Sequence, residues 1–197
     1  MTVSVRALTG AALDAALDDV ARLRIAVFRA FPYLYDGDLD YERRYIATYR
    51  DSPGAVVAGA FDGARLVGAA TGTPMTDHVA EFAAALAGTG LDLSAMFYCA
   101  ESVLLPGYRG QGIGHRFFDL REDHARAQGA THSAFCAVIR PADHPARPAD
   151  YRPLDPFWRG RGYAPLPGAV AHFRWRDVGD TAETEKPLQF WLRDLRG

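Results

Sequence analysis

Ser102-Val103-Leu104-Leu105-Pro106-Gly107-Tyr108-Arg109-Gly110-Gln111-Gly112-Ile113-Gly114-His115 changes character twice along its length. An apolar, strand-like run ends in Pro106-Gly107, a glycine-rich turn follows, and from Ile113 the apolar positions take up helical spacing. Gly110, Gly112 and Gly114 let the backbone adopt conformations closed to other residues and come close to a ligand with no Cβ in the way. Successive N–H groups then converge on an anion at the positive end of the helix that follows. A diphosphate suits such a cradle.

Two familiar phosphate motifs are excluded at single positions. The dinucleotide fingerprint needs a glycine where His115 stands, and the nucleotidase phosphate loop needs Gly-Lys-Ser/Thr. What remains is Arg109-x-x-Gly112-x-Gly114, preceded by Leu104, Leu105 and Pro106. This resembles the acetyl-CoA pyrophosphate loop of the GNAT N-acetyltransferase superfamily. The competing reading is a turn that only starts a surface helix.

The flanking segments are read outward from that unit. Residues 3–8 form a strand, and Leu13, Leu17, Val20, Arg24 and Val27 place a helix from Thr9-Gly10 to about Phe28, apolar on one face except at Arg24. A second helix covers about 41–50. Strands 55–61 and 65–71 meet at Asp62-Gly63, a hairpin signal. Residues 73–90 read as an insertion holding a short helix over 79–87. A central strand, 96–105, leads into the cradle, and Ile113, Phe117, Leu120, His124 and Ala127 define the inner face of the next helix, which stops at Gly129. After a strand over 132–139, residues 140–156 are a long loop with the character of a lid. Phe157-Trp158-Arg159-Gly160-Arg161-Gly162-Tyr163 resembles a second GNAT signature, and strands 169–176 and 188–195 close the chain.

The resemblance spans essentially the whole chain as a single domain, 1–197, and implies an α/β (α+β) GNAT fold. That is a central mixed, mostly antiparallel sheet of about seven strands, flanked by helices and splayed at the acetyl-CoA site.

Composition is that of an ordinary globular enzyme, with 49% hydrophobic and 23% charged residues. A net charge of −2 leaves no electrostatic footprint for nucleic acid. No apolar run reaches the length of a membrane span and the N-terminus has no signal-peptide core, so a cytoplasmic protein is expected. Cys99 and Cys136 lack paired spacing and read as buried thiols, with no metal implied. A homodimer stands as an open expectation.

The resemblance assigns roles residue by residue. Ser102, Val103 and Leu104 would pair by backbone with the pantetheine arm, and the Leu104 N–H would take the oxyanion contact. Arg109, Gly110, Gln111, Gly112, Ile113, Gly114 and His115 would hold the pyrophosphate. Ser102 departs from the family, where an apolar residue is common. Glu101 stands where related enzymes often carry an acid and is the candidate general base; alternatively it points to solvent or pairs with an arginine. Trp158 replaces a frequent tyrosine. Its indole N–H cannot usefully release a proton, so Trp158 is expected to pack on the CoA arm while water or Tyr151 protonates the sulfur. Phe31, Tyr33, Tyr35 and Asp36 lie where the family borders its acceptor and could receive a cationic amine, or simply pack the loop. Among the histidines, His124 reads as a satisfied core residue and His144 as a spare base.

The resemblance implies an acetyl-CoA-dependent N-acetyltransferase, acting on a primary amine of a small molecule or peptide by direct transfer in a ternary complex. A second reading is a GNAT-fold domain that binds acyl-CoA without catalysis, as a sensor or interaction module. A nucleotide-binding Rossmann-type enzyme is disfavoured at His115.

Overall fold

The Asp62-Gly63 turn forms as expected, and a computed structural model, which describes residues 3–197, builds a sheet to both sides of it. Met1 and Thr2 of the N-terminal reading lie outside the described residues. The elements are β1 (Ser4–Leu8), α1 (Gly10–Phe28), α2 (Leu39–Asp51), β2 (Val56–Asp62), β3 (Arg65–Pro74), α3 (Val79–Leu86), β4 (Met96–Tyr98), β5 (Ser102–Leu104), α4 (Ile113–Ala127), β6 (His132–Val138), α5 (Asp155–Gly160), β7 (Ala164–Trp175) and β8 (Thr184–Asp194). The eight-stranded sheet runs β1-β2-β3-β4-β6-β8-β7, with β5 beside β3. Every pairing is antiparallel except β4 with β6.

The expected continuous strand over 96–105 is two strands. Ala100 N–H donates to Thr71 O at 3.1 Å, while Thr71 N–H donates to Glu101 O at 3.0 Å, so two residues of one strand oppose a single residue of β3. That is a β-bulge, which bends the strand and re-aims its side chains. The alternation along the strand consequently changes phase. Phe97 and Cys99 join the cluster beneath α4 and α5, whereas Val103, which an unbroken period of two would also place there, packs instead with Leu13, Val20 and Ile46 of α1 and α2. Glu101 is carried to the α1/α2 face by the same shift.

Helices cover both faces. α1 and α2 close over Leu8, Val57, Ala69 and Val103. α4 lies on the opposite face against Ala58, Val67 and Ala70 through Ile113 and Phe117. Close approach is made possible at Gly72, where a Cβ would stand 2.4 Å from the Phe97 ring and 3.3 Å from Arg121 Cδ.

The inner face of α4 differs from the expected one. Ile113 and Phe117 are buried, but Arg121 and Glu122 go inward with Phe118 and Ala125, while Leu120 and His124 are half-buried and Ala127 is exposed. Hydrophobicity alone misplaces this face because both charged residues are satisfied inside. Glu122 accepts from Arg161, Arg193 and Tyr163 at 2.9, 2.7 and 3.0 Å. Near the chain end, β7 and β8 begin earlier than expected, and their register shifts between Pro165 and Val170. Cys99 and Cys136 are both buried free thiols, as expected.

Candidate active site

The cradle is built on left-handed backbone. Gly112, the N-terminal cap of α4, has φ +75° and ψ 0°, and Gly110 also has φ +75°. A Cβ at either position would meet nothing within 4 Å. Glycine is therefore demanded by the backbone angle rather than by packing, and the space in front of the loop is open. Gly114 is different: its missing Cβ would stand 3.3 Å from the ring of Phe157, so this glycine lets α5 lie on α4. Tyr108 anchors the loop to the hairpin by donating to Asp62 at 2.8 Å, and Gln111 donates to Gly107 O at 3.2 Å. Arg109 is exposed, with no carboxylate partner among the described residues. His115 packs on Phe157 and contacts Arg161.

Upstream of the cradle the sheet opens. β4 pairs with β6 only over Met96–Tyr98, and Cys99 N–H to Ala134 O, 2.8 Å, is the next contact along the same edge. Among the described residues β5 pairs with β3 alone. Glu101 O and Leu105 N–H face β3, and Val103 lies opposite Ala69. Alternation then turns the N–H groups of Ser102 and Leu104 away from β3, toward the gap beside β6. An extended amide-bearing chain can bond to this free edge. It runs directly into the cradle.

Glu101 takes up the pairing with arginine, not the solvent-facing alternative. Its side chain is 7% exposed, in ionic contact with Arg24 at 2.5 Å, and accepts from Tyr45 Oη at 3.1 Å. Arg24 also binds Glu42, which is fully buried, and its guanidinium lies 4.4 Å from the Tyr45 ring and 5.2 Å from the Phe28 ring. Burial opposes the charge on Arg24, but Glu101, Tyr45 and Glu42 outweigh it and hold the guanidinium charged beyond its ordinary range. Two buried carboxylates share one cation, and among the described residues Glu42 Oε1 has no hydrogen-bond partner. Tyr45 and Tyr49 share a 2.9 Å hydroxyl contact, and burial followed by the Glu101 charge holds both phenols neutral above the usual tyrosine range.

The four acceptor candidates divide. Tyr33 lies between Phe28 and Trp175, and burial, Cys136 and Glu101 raise its phenol pKa. Phe31 stacks edge-on against Tyr151 at 4.7 Å and also meets His144 at 5.7 Å, which joins the loop after α1 to the long loop of residues 140–156. The root of that long loop is fastened by Arg140, which binds Asp177 and the carbonyls of Pro32 and Tyr33. Tyr35 is raised by burial and by Glu42. Asp36 is already paired with Arg29 at 3.2 Å and Arg176 at 2.7 Å, which removes it from the set of free carboxylates. Trp158 packs on Phe135 and Trp191 at 4.9 and 5.1 Å.

Sequence reading missed Glu42, Tyr45, Tyr49 and Arg121, and noted Arg24 only as an exception. That exception was the available signal: an arginine on an apolar stripe must find partners inside. The tyrosines also open onto a cleft of about 510 Å3 between α2 and the segment after β3, walled by Asp51, Asp77, Glu81, Thr73 and His78. Asp77 has no cationic partner among the described residues and accepts from Ser52 and Thr73 at 2.6 and 2.5 Å.

The model of the acetyltransferase (GNAT) family matches residues 20–149. A GCN5-related N-acetyltransferase from Kribbella flavida is similar with a TM-score of 0.62 at 14% identity, covering 98% of this chain and 97% of that one. YncA from Salmonella typhimurium, solved with its cofactor acetyl-CoA, gives 0.61 at 12%, covering 99% and 95%. PaiA N-acetyltransferase from Thermoplasma acidophilum, in complex with coenzyme A, gives 0.54 at 11%, covering 98% and 99%. At these identities the likeness shows the fold. No curated relative matches the sequence.

Proposed function

This chain belongs to the acetyltransferase (GNAT) family, and on that premise we propose that it is an acetyl-CoA-dependent N-acetyltransferase acting on a primary amine by direct transfer. The observation that carries this reading is the unpaired edge at Ser102 and Leu104, which ends in the open cradle of Gly110 and Gly112 and begins at the buried Glu101 carboxylate. The edge and cradle suit a pantetheine arm ending in a diphosphate. Bound acetyl-CoA supplies the thioester. The N–H groups of Ser102 and Leu104 orient the arm and meet the negative charge that grows on the acyl oxygen. Glu101, through its Tyr45 contact, takes the proton the amine loses as the nitrogen–carbon bond forms. The carbon–sulfur bond breaks as it does so, and water or Tyr151 returns a proton to the sulfur. The acidic cleft beside Tyr45 and Tyr49 offers a cationic acceptor its approach.

The test is thiol release from acetyl-CoA or succinyl-CoA against a panel of monoamines, diamines, peptides and aminoglycosides. Amine-dependent release with acetyl-CoA supports the reading. Binding of acetyl-CoA without release, against every amine, would favour the sensor or interaction module instead.

A further inference from the structure

Among the described residues Arg121 is the largest fully buried side chain, 1% exposed, and no carboxylate pairs with it. An unpaired buried guanidinium is expensive, and an apolar residue of similar size would fill the space at less cost to folding. Its partners lie in its own helix and at the bulge. Nε donates to Phe117 O in α4 at 3.2 Å. Nη1 donates at 3.0 Å to both Thr71 O and Glu101 O, the two carbonyls that define the bulge, and Nη2 donates to Ser102 Oγ at 2.9 Å. The Ser102 hydroxyl, the one departure from the family pattern on β5, therefore has a partner. Gly72 leaves room for the arginine stem to pass.

The carbonyl of Glu101 and the N–H of Ser102 belong to one peptide group. Thr71 N–H and Arg121 both donate to that carbonyl, while the N–H on the other side of the same plane faces the gap beside β6. Charge drawn onto the oxygen of an amide strengthens its N–H as a donor, since hydrogen bonds in a chain polarise one another. Arg121 also fixes the tilt of that peptide plane through the Ser102 hydroxyl. We propose that Arg121 is a positioning residue for acyl transfer: it aims and polarises the Glu101–Ser102 peptide so that the Ser102 N–H, rather than Leu104 alone, is the main donor to the acyl oxygen. This rests on the function proposed above.

The direct test is the thioester carbonyl stretch of carbonyl-labelled acetyl-CoA bound to wild type, Arg121→Met and Arg121→Gln. Gln keeps a neutral donor for the bulge carbonyls and serves if Met does not fold. Wild type is expected to hold the stretch below its solution frequency, and both variants to return it most of the way. Turnover should fall about tenfold, short of the hundredfold or more that loss of an oxyanion donor costs, with acetyl-CoA affinity changed less than turnover. An unaltered stretch in a folded variant that binds acetyl-CoA overturns the role of Arg121 and leaves the proposed function standing. Failure of wild type to bind acetyl-CoA overturns both.

Discussion

The glycine cradle and the Arg24 cluster lie at opposite ends of the β5 edge and are built on opposite principles. The cradle is local: a short run of consecutive residues, left-handed at two glycines, open in front, offering backbone N–H groups. The cluster is assembled from α1, α2 and the bulge, is largely buried, and works through side-chain charge. The open backbone site restricts its glycines by backbone angle rather than by packing, and contributes little to stability. Buried ionic sites tolerate no missing partner.

Substitutions should separate the two. Gly112→Asp puts a side chain and a like charge into the cradle, and calorimetry should find acetyl-CoA binding abolished. Its cost to the fold should stay near the roughly 1–2 kcal/mol of a left-handed residue. Arg24→Met leaves two buried carboxylates without a cation, and urea unfolding should record a loss of about 3–5 kcal/mol. If that variant is as stable as wild type, the cluster is not the ionic unit described. Glu101→Gln should keep acetyl-CoA binding and lower turnover by roughly a hundredfold on a confirmed amine; unaltered turnover would remove Glu101 from the chemistry.

Protonation gives a further contrast, since burial dominates the phenols around the cluster, whereas the cradle's Tyr108 is raised first by its hydrogen bond to Asp62. Tyr33, Tyr45, Tyr49 and Tyr98 are held neutral above the ordinary value of 10.0, chiefly by burial, and the Cys136 thiol is pushed up to about 12 from 9.0. Groups whose acid form the fold retains give stability that is intact below their unfolded pKa and declines above it, because the unfolded chain then binds fewer protons. Stability should therefore fall progressively from about pH 9 upward, read by urea unfolding at successive pH values; a flat profile to pH 11 would contradict the burial of these groups. The smallest effect expected is that of Trp158→Phe, which trims a packed ring between Phe135 and Trp191. It should cost about 1 kcal/mol of stability and preserve most of the turnover. A large loss of turnover with affinity and fold intact would give the indole N–H a catalytic part.

The same contrast explains what the sequence made legible. The cradle, the hairpin at Asp62-Gly63 and most helix positions follow from neighbours in the chain, and they were readable. The bulge was not, because the sequence at Cys99, Ala100 and Glu101 carries no mark of the extra residue opposite Thr71. Everything that depends on its phase shift was lost with it: the face of Glu101, the partner of Ser102 and the inward turn of Arg121. Asp36 shows the other limit: its place in the loop after α1 was legible, but its ion pair with Arg176, far away in the chain, was not.

In the proposed reaction the β5 edge, cradle and Glu101 together pass an acyl group to an amine. Its most direct measurement is the yield of free thiol and of N-acetylated amine from acetyl-CoA, with wild type and with Gly112→Asp. Equal amounts of both products are expected with wild type, neither without amine, and neither from the variant. Tight acetyl-CoA binding by wild type, with no amine-dependent thiol released, would contradict it.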